Sequence, residues 1–338
     1  FFFTHTPPSP ILSGLVGSEM CIRDRINALI IAALLFGCTF LVVKDLLDSM
    51  NASNIVFWRY LVASILFFLV GGIPDKETIK DAAPLGLFLW LGYILQTQGL
   101  VTTSTINSGV ITGFYIVLTP IFSRWILKRK LVKRTLTACF LGFTGIILLS
   151  YTTGPFIVGN AITLACAASY ALHIVFVQKN LKKHNIFQLM FVQSVIGFLL
   201  SIPFVEIPIT LLRGDQISYI IFLGGVVNFG AFYLQLYGQR MVEASNAALI
   251  LSLEAVFATL FGLIFVGEFL SFVNWVGIFF TFSSISIAIS LASFSDVLTE
   301  QEVENIHHYV KARAHEDREV ALGNMEAPQY TWFGVEED

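Results

Sequence analysis

Over its 338 residues the chain is 56% hydrophobic and only 13% charged, with a mean hydropathy of +0.77. That composition excludes an ordinary water-soluble globular domain and points to a chain that resides in lipid. The formal net charge of −3 decides little, because in a membrane protein the placement of Lys and Arg matters more than their sum.

Residues 1–25 (FFFTHTPPSPILSGLVGSEMCIRDR) do not read like the rest. They lack the charged n-region and small-residue cleavage site of a signal peptide. The run LVGSEMCIRDR resembles a translated sequencing-adapter read-through, so the stretch is expected to be a non-native leader and is set aside for orientation. After it, apolar runs of about twenty residues alternate with short polar connectors, the pattern of membrane-spanning helices. Ten are expected, at 26–44, 53–72, 84–102, 106–126, 135–152, 156–178, 186–205, 217–238, 245–267 and 272–292. The expected fold class is therefore all-α integral membrane. The connectors are too short for a soluble domain, so neighbouring helices must run antiparallel. The 32 Phe suit lipid-facing surfaces, and Trp and Tyr near helix ends suit the interface. Cys38, Cys139 and Cys166 lie inside apolar runs with no CxxC and no His at ligand spacing, so they read as packing residues.

Basic residues orient the bundle. With the first helix starting in the cytoplasm, the cytoplasmic loops hold Lys76 and Lys80, then Arg124, Lys128, Arg129, Lys130, Lys133 and Arg134. Lys179, Lys182, Lys183 and Arg240 fall on the same side, and only Lys44 and Arg213 on the other. The asymmetry and the even helix count place both termini in the cytoplasm, in a membrane expected to be the bacterial inner (plasma) membrane.

The chain also repeats itself. Asn27 to Lys44 (NALIIAALLFGCTFLVVK) is similar to Asn160 to Lys179 (NAITLACAASYALHIVFVQK), and Pro120-Ile-Phe is matched to Ala255-Val-Phe, as Gly142 is to Gly277. The expected domains are five-helix repeats at 26–152 and 156–292. An odd number of crossings per repeat turns the halves upside down relative to one another, an arrangement found in alternating-access carriers. Beyond them, residues 293–338 form a polar tail expected in the cytoplasm. Thr299 and Glu302 make a capping box ahead of a helix expected from about 300 to 316. The segment LTEQEVENIHHYVKARAHED resembles the last helix of a c-type cytochrome domain, but CxxCH is absent from the chain, so no haem role follows.

Within the spans, polar residues are the candidates for function. Glu254 sits near the middle of Ala244 to Glu268, where a charge costs at least ~2.5 kcal/mol and is retained for a reason. A carboxyl there can exchange a proton near neutral pH or recognise an amine; the alternative is a carboxyl kept only for packing. Glu268 falls at the helix end and reads as interfacial. Arg59, one turn into the second helix, is expected to snorkel to the membrane surface, with a cavity-facing role towards an anion or Glu254 as the alternative. Gln96, Gln98, Asn107, Ser108 and Thr112 form a polar band, of which helical spacing lets only some face inward. Gly109 and Gly113 have GxxxG spacing, a packing signal first. The second half offers Tyr170, His173, Gln193, Asn228, Tyr233, Gln235 and Tyr237; His173 reads more as an interhelical hydrogen bonder than as a proton relay. Asn107 and Asn246 both stand at helix starts, where they can act as caps. GxSxG, HExxH, Walker A and paired intramembrane aspartates are all missing, so no enzyme, cofactor or metal is expected.

These runs bring the chain to a family. LLFGCTFLVVK, FWRYLVA, LGYILQTQGLVTTSTINSGVITGFYIVLTPIF, GNAITLACAASYALHIVFV and YLQLYGQRMVEASNAALILSLEAVFATLFGLIFVGE resemble the bacterial EamA-type carriers of the drug/metabolite transporter superfamily, from about residue 27 to 291. The resemblance implies ten helices, a secondary carrier, often an exporter of amino acids or other small metabolites, and a cavity lined by the third, fourth, eighth and ninth helices. It also implies Pro after the Glu of the ninth helix, where this chain has Ala255, and so a lost kink on one side.

The expected function is thus metabolite export by alternating access, coupled to protons through Glu254. Gln96, Gln98, Asn107, Ser108, Thr112, Tyr233, Gln235, Arg59 and His173 are the cavity candidates. A passive channel and a non-transporting sensor or assembly protein are the rival readings. The expected partners are a small-molecule solute, the lipid bilayer and, as one option, a second copy of the chain in a homodimer, with no nucleic acid.

Overall fold

A backbone without water must satisfy its own polar groups, and in lipid only helices and closed barrels do so. The computed structural model takes the helical route. It describes residues 10–129, 133–150, 158–205, 212, 214–267 and 270–295, and no strand occurs among them. In chain order the helices are α1 (Pro10–Leu46), α2 (Ala52–Gly71), α3 (Lys76–Thr102), α4 (Thr105–Thr112), α5 (Tyr115–Ile126), α6 (Lys133–Ser150), α7 (Val158–Asn180) and α8 (Ile186–Ser201). There follow α9 (Gly214–Ile221), a π-helical segment Phe222–Ala231, α10 (Phe232–Gln239), α11 (Ala244–Leu251), α12 (Leu253–Phe261), a second π-helical segment Gly262–Val266, and α13 (Phe272–Ser295).

Nine spans among the described residues are long and apolar enough to cross a membrane. Several are composite: α4 and α5 share the span Thr105–Ile126, α9 to α10 the span Gln216–Gln239, and α11 and α12 the span Ala244–Phe265. The helix expected at 135–152 is present as α6, which opens on Lys133 and Arg134 and is not among the nine. Helix α1 starts at Pro10, earlier than the expected 26. Lys130, Arg213, Glu268, residues 1–9 and the tail helix with Thr299 and Glu302 lie outside the described residues.

Residues 24–292 form one compact unit. Within it α3 packs along α7 and α8, α2 along α8, α4 against α12 and α5 against α7 and α11. Side chains on the outside are apolar: Leu69 is 73% exposed, Phe140 69% and Phe279 68%. In water that would be a liability; for a chain in lipid it is the solvated face.

Small residues let the helices close on one another, as expected where lipid supplies no hydrophobic drive. A Cβ placed on Gly159 of α7 would stand 2.6 Å from the Gly99 carbonyl oxygen of α3, and one on Gly99 would stand 2.9 Å from the Gly159 oxygen. Gly109, the first glycine of the expected GxxxG, faces Ala258 of α12 at 2.6 Å on the same test. Helix ends are tied down too. Asp75 caps α3 by accepting the Thr78 N–H at 2.7 Å, a bond that holds the Asp75 carboxyl below the usual carboxylate range. At the other end of α3, Lys44 Nζ donates to the carbonyl oxygens of Leu100 (2.7 Å) and Thr103 (3.0 Å), a cation at a helix C-terminus.

Two loops clasp distant helix starts. His184, in the loop after α7, meets Thr78 Oγ1 through Nδ1 at 2.9 Å and Asp81 Oδ2 through Nε2 at 3.0 Å, both on α3. In the loop after α1, Ser49 takes hydrogen bonds from Gln216 Nε2 of α9 on its hydroxyl (3.2 Å) and its carbonyl (3.4 Å).

The glycine contact gives a direct test. Gly159→Val forces α3 from α7 and should cost about 1–3 kcal/mol of stability, read as a lower midpoint in thermal unfolding of detergent-solubilised protein. Gly225→Ala, whose added Cβ would meet only Leu66 at 3.7 Å, should leave the midpoint nearly unchanged.

Candidate transport cavity

Two of the composite spans break in the same way. In the first, the Gly113 N–H bonds back to the Gly109 and Ile111 oxygens, and the Ile116 N–H reaches only to Gly113, at 3.1 Å. In the second, the Ser252 N–H bonds to the Ala248 and Ile250 oxygens, and the Ala255 N–H reaches Ser252 at 3.0 Å. Each break thus falls just after a short helix, at Gly113 and at Ser252. The break in the second span needs no proline. The Ser252 hydroxyl donates to the Leu249 oxygen at 2.7 Å, and Leu253 restarts the helix.

Tyr115, the first residue of α5, and Glu254, the second of α12, interact through their side chains. Neither the Tyr115 hydroxyl nor Glu254 Oε1 completes a hydrogen bond of good geometry among the described residues. Glu254 is 6% exposed. The ion pairs Arg129–Glu243, Lys183–Asp81 and His184–Asp81 all use other carboxylates, so among the described residues Glu254 has no cation at ion-pair distance.

Both side chains line a cavity. Its walls come from α1 (Phe36, Thr39, Phe40), α3 (Tyr93, Gln96), α5 (Tyr115), α7 (Tyr170, His173, Ile174), α10 (Phe232, Gln235) and the α11–α12 break (Leu251, Glu254). The first and sixth spans thus join the third, fourth, eighth and ninth that the resemblance implied. The space open to the centres of water molecules is ≈ 40 Å³, enough for about three waters at ~10–15 Å³ each.

Of the residues expected in the cavity, Gln96, His173, Gln235 and Glu254 line it. Gln96 accepts from the Tyr170 hydroxyl at 3.3 Å and donates to Thr112 Oγ1 at 3.3 Å, so Thr112 stands one bond behind the wall. His173 Nε2 meets Gln193 Oε1 at 2.8 Å, and Gln235 donates to Gln239 Oε1 at 3.1 Å.

The others lie elsewhere, each for a visible reason. Gln98 is exposed, on the opposite face of α3 from Gln96. Asn107 and Asn246 are the third residues of α4 and α11, whose cap positions are Ser104 and Glu243; Ser104 Oγ accepts the Asn107 N–H at 3.1 Å. Ser108, 0% exposed, belongs to the short α4 packed on α12, α6 and α7. Tyr233 stacks on Phe187 of α8 at 5.0 Å, and its neighbour Phe232 faces the cavity instead.

Arg59 is the largest departure. Rather than reaching the surface it is 0% exposed, and it does not meet Glu254. Its Nε and Nη2 donate to Asn228 Oδ1 at 3.1 and 2.9 Å, and its guanidinium lies 3.7 Å from the Tyr93 ring centroid. The Tyr93 hydroxyl donates to the same oxygen at 2.8 Å. Asn228 reaches this point from the π-helical segment Phe222–Ala231, whose wider winding re-aims side chains. Sequence reasoning named Asn228 without giving it this role, and it missed the aromatic lining from Phe36, Phe40 and Tyr115; a Phe in an apolar helix carries no signal that separates cavity from lipid.

The Arg59 cluster makes a sharp prediction. Asn228→Leu removes two hydrogen bonds to a buried charge and should cost about 3 kcal/mol or more, seen as a large drop in the detergent unfolding midpoint. Asn228→Asp, which restores an acceptor, should keep most of the stability.

Comparison with known proteins agrees with the architecture. The model of the EamA-like transporter family matches residues 26–151 and again 157–290. An uncharacterised transporter of Archaeoglobus fulgidus is 35% identical over 255 residues, covering 74% of this chain and 81% of its own. Transporter YetK of Bacillus subtilis is 27% identical over 248 residues, covering 65% and 73%. A protein solved by crystallography, 15% identical, superposes with a TM-score of 0.62 over 78% of this chain and 96% of its own, and so has the same fold. The chain is an integral membrane transporter, not an enzyme, and it belongs to the EamA-like transporter family.

Proposed function

We propose that this transporter exports a small metabolite, such as an amino acid, by alternating access, and that protons drive it through Glu254. The observation that carries the reading is the Glu254 carboxyl itself: buried, without a cationic partner, and facing Tyr115 in a cavity where both broken spans meet. A carboxyl that takes up a proton in one access state and yields it in the other links the proton gradient to the swing of the helices.

The two halves matched by the family model are read as inverted five-helix repeats at 26–152 and 156–292. Under the positive-inside reading both termini face the cytoplasm of a bacterial inner membrane. The two clasps then fall on opposite sides: His184 with Thr78 and Asp81 on the cytoplasmic face, and Ser49 with Gln216 on the other. Opening one while the other holds is what alternating access requires. The narrow space around Glu254 favours this over a standing pore.

Proteoliposomes test the proposal. A panel of amino acids and related metabolites is offered with and without an imposed pH gradient, to the wild type and to Glu254→Gln. The expected result is accumulation of a solute against its gradient, with the pH-driven part abolished in the variant and counterflow retained. Saturable uptake indifferent to both pH and Glu254 would remove proton coupling; flux that never saturates would replace the carrier with a channel.

A further inference from the structure

The lining of the cavity has a chemistry of its own. Besides Glu254 it presents Phe36, Phe40, Tyr93, Tyr115, Tyr170 and Phe232, and among the described residues no Lys or Arg lines it. The rings do not lie flat against one another. Phe36 meets Phe232 at 56°, Tyr93 meets Phe232 at 65° and Tyr170 at 88°, so none of these pairs is a flat stack that hides both ring faces. Arg59 covers one face of Tyr93 without reaching the lining, and that cation weakens Tyr93 as a partner for another. The remaining rings carry no such load. Glu254, buried and facing only the neutral Tyr115 hydroxyl, with no cation at ion-pair distance among the described residues, points to a ligand that supplies what these residues withhold: a positive charge with N–H or N–CH₃ groups.

We propose that the solute bound at this site is an organic amine, held as its ammonium cation by the Glu254 carboxylate and by the faces of Phe36, Phe40, Tyr170 and Phe232. This rests on reading the cavity as the transport site. A carboxylate opposite an aromatic enclosure is the arrangement that binds ammonium groups. The same lining disfavours a substrate carboxylate, which would meet Glu254 and find no cation on the wall. The small-metabolite reading above is thereby narrowed, with the amine that lacks the carboxylate taking the place of the amino acid offered there as an example. The ammonium head fits the present space, and the rest of the molecule enters as the helices part.

Four solutes of one shape and different charge decide the matter: phenethylamine, phenylalanine, phenylacetate and 2-phenylethanol. Binding is measured by calorimetry at fixed pH on the purified full chain in nanodiscs. Phenethylamine should bind about tenfold or more tightly than the other three, and Glu254→Gln should abolish the difference. Should that variant fail to fold, the wild type still answers: phenethylamine should slow carbodiimide modification of Glu254, read by mass spectrometry of its peptide, while the other three do not. Equal or tighter binding of phenylalanine or phenylacetate, or binding of none of the four, would overturn the proposal. Amine selectivity without transport in proteoliposomes would sink the carrier reading and keep this one; transport of an anionic or zwitterionic solute without amine binding would do the reverse.

Discussion

Placing a carboxyl among aromatic rings in the middle of a membrane protein is costly, and the rest of the cavity is arranged around that cost. The simplest remedy would be a neighbouring cation, and the chain has one buried in the same bundle. Arg59 is instead turned away, its guanidinium covered by Tyr93 and bonded to Asn228. At close range in a poorly screened interior, an Arg–Glu pair is held by several kcal/mol even at an effective dielectric of about 20. Such a pair would fill the site with its own counter-ion. Keeping the two apart leaves Glu254 without that counter-ion, and Asn228 is the residue that holds Arg59 away from it.

The second constraint is the broken helix. A span that must change its tilt or register around a fixed point needs a place where backbone bonds are already rearranged. Both Gly113 and Ser252 provide it by the same pattern of shortened hydrogen bonds, and the residues that restart each helix put Tyr115 and Glu254 beside each other. The chemistry of the site is thus attached to the part of the backbone best able to move. Local compensation matters here: Thr119 and Thr259 each donate a hydroxyl to the carbonyl one turn back, Tyr115 and Ala255 respectively, which steadies the second half of each span.

Hydropathy and spacing made most of the fold legible, because in lipid the demand for long apolar helices overrides nearly everything else. Glu254 was legible for the same reason, being a charge where none should be. What stayed hidden was direction. Gln96 and Gln98 look alike in the sequence, yet two residues along a helix turn one into the cavity and the other to the outside. Arg59 near a helix start looked like a surface anchor because nothing local announces a partner 169 residues away. Asn228 depends on a π-helical winding that no periodicity of 3.6 predicts, and the break at Ser252 occurs without the proline that would have marked it.

The two clasps differ in kind as well as in place. Ser49 and Gln216 are neutral, and their hydrogen bonds change little with pH or salt. The other clasp joins a histidine to a carboxylate, with Lys183 4.0 Å from the same Asp81 oxygen. Charge-assisted hydrogen bonds are about twice as strong as neutral ones, so two halves that resemble each other in helix layout need not open with equal ease. An asymmetry of even one or two kcal/mol between the gates biases the resting population about five- to thirty-fold toward one access state. On the proposed alternating-access reading, the preferred resting side would be decided at these loops, far from Glu254, and the solute at the cavity.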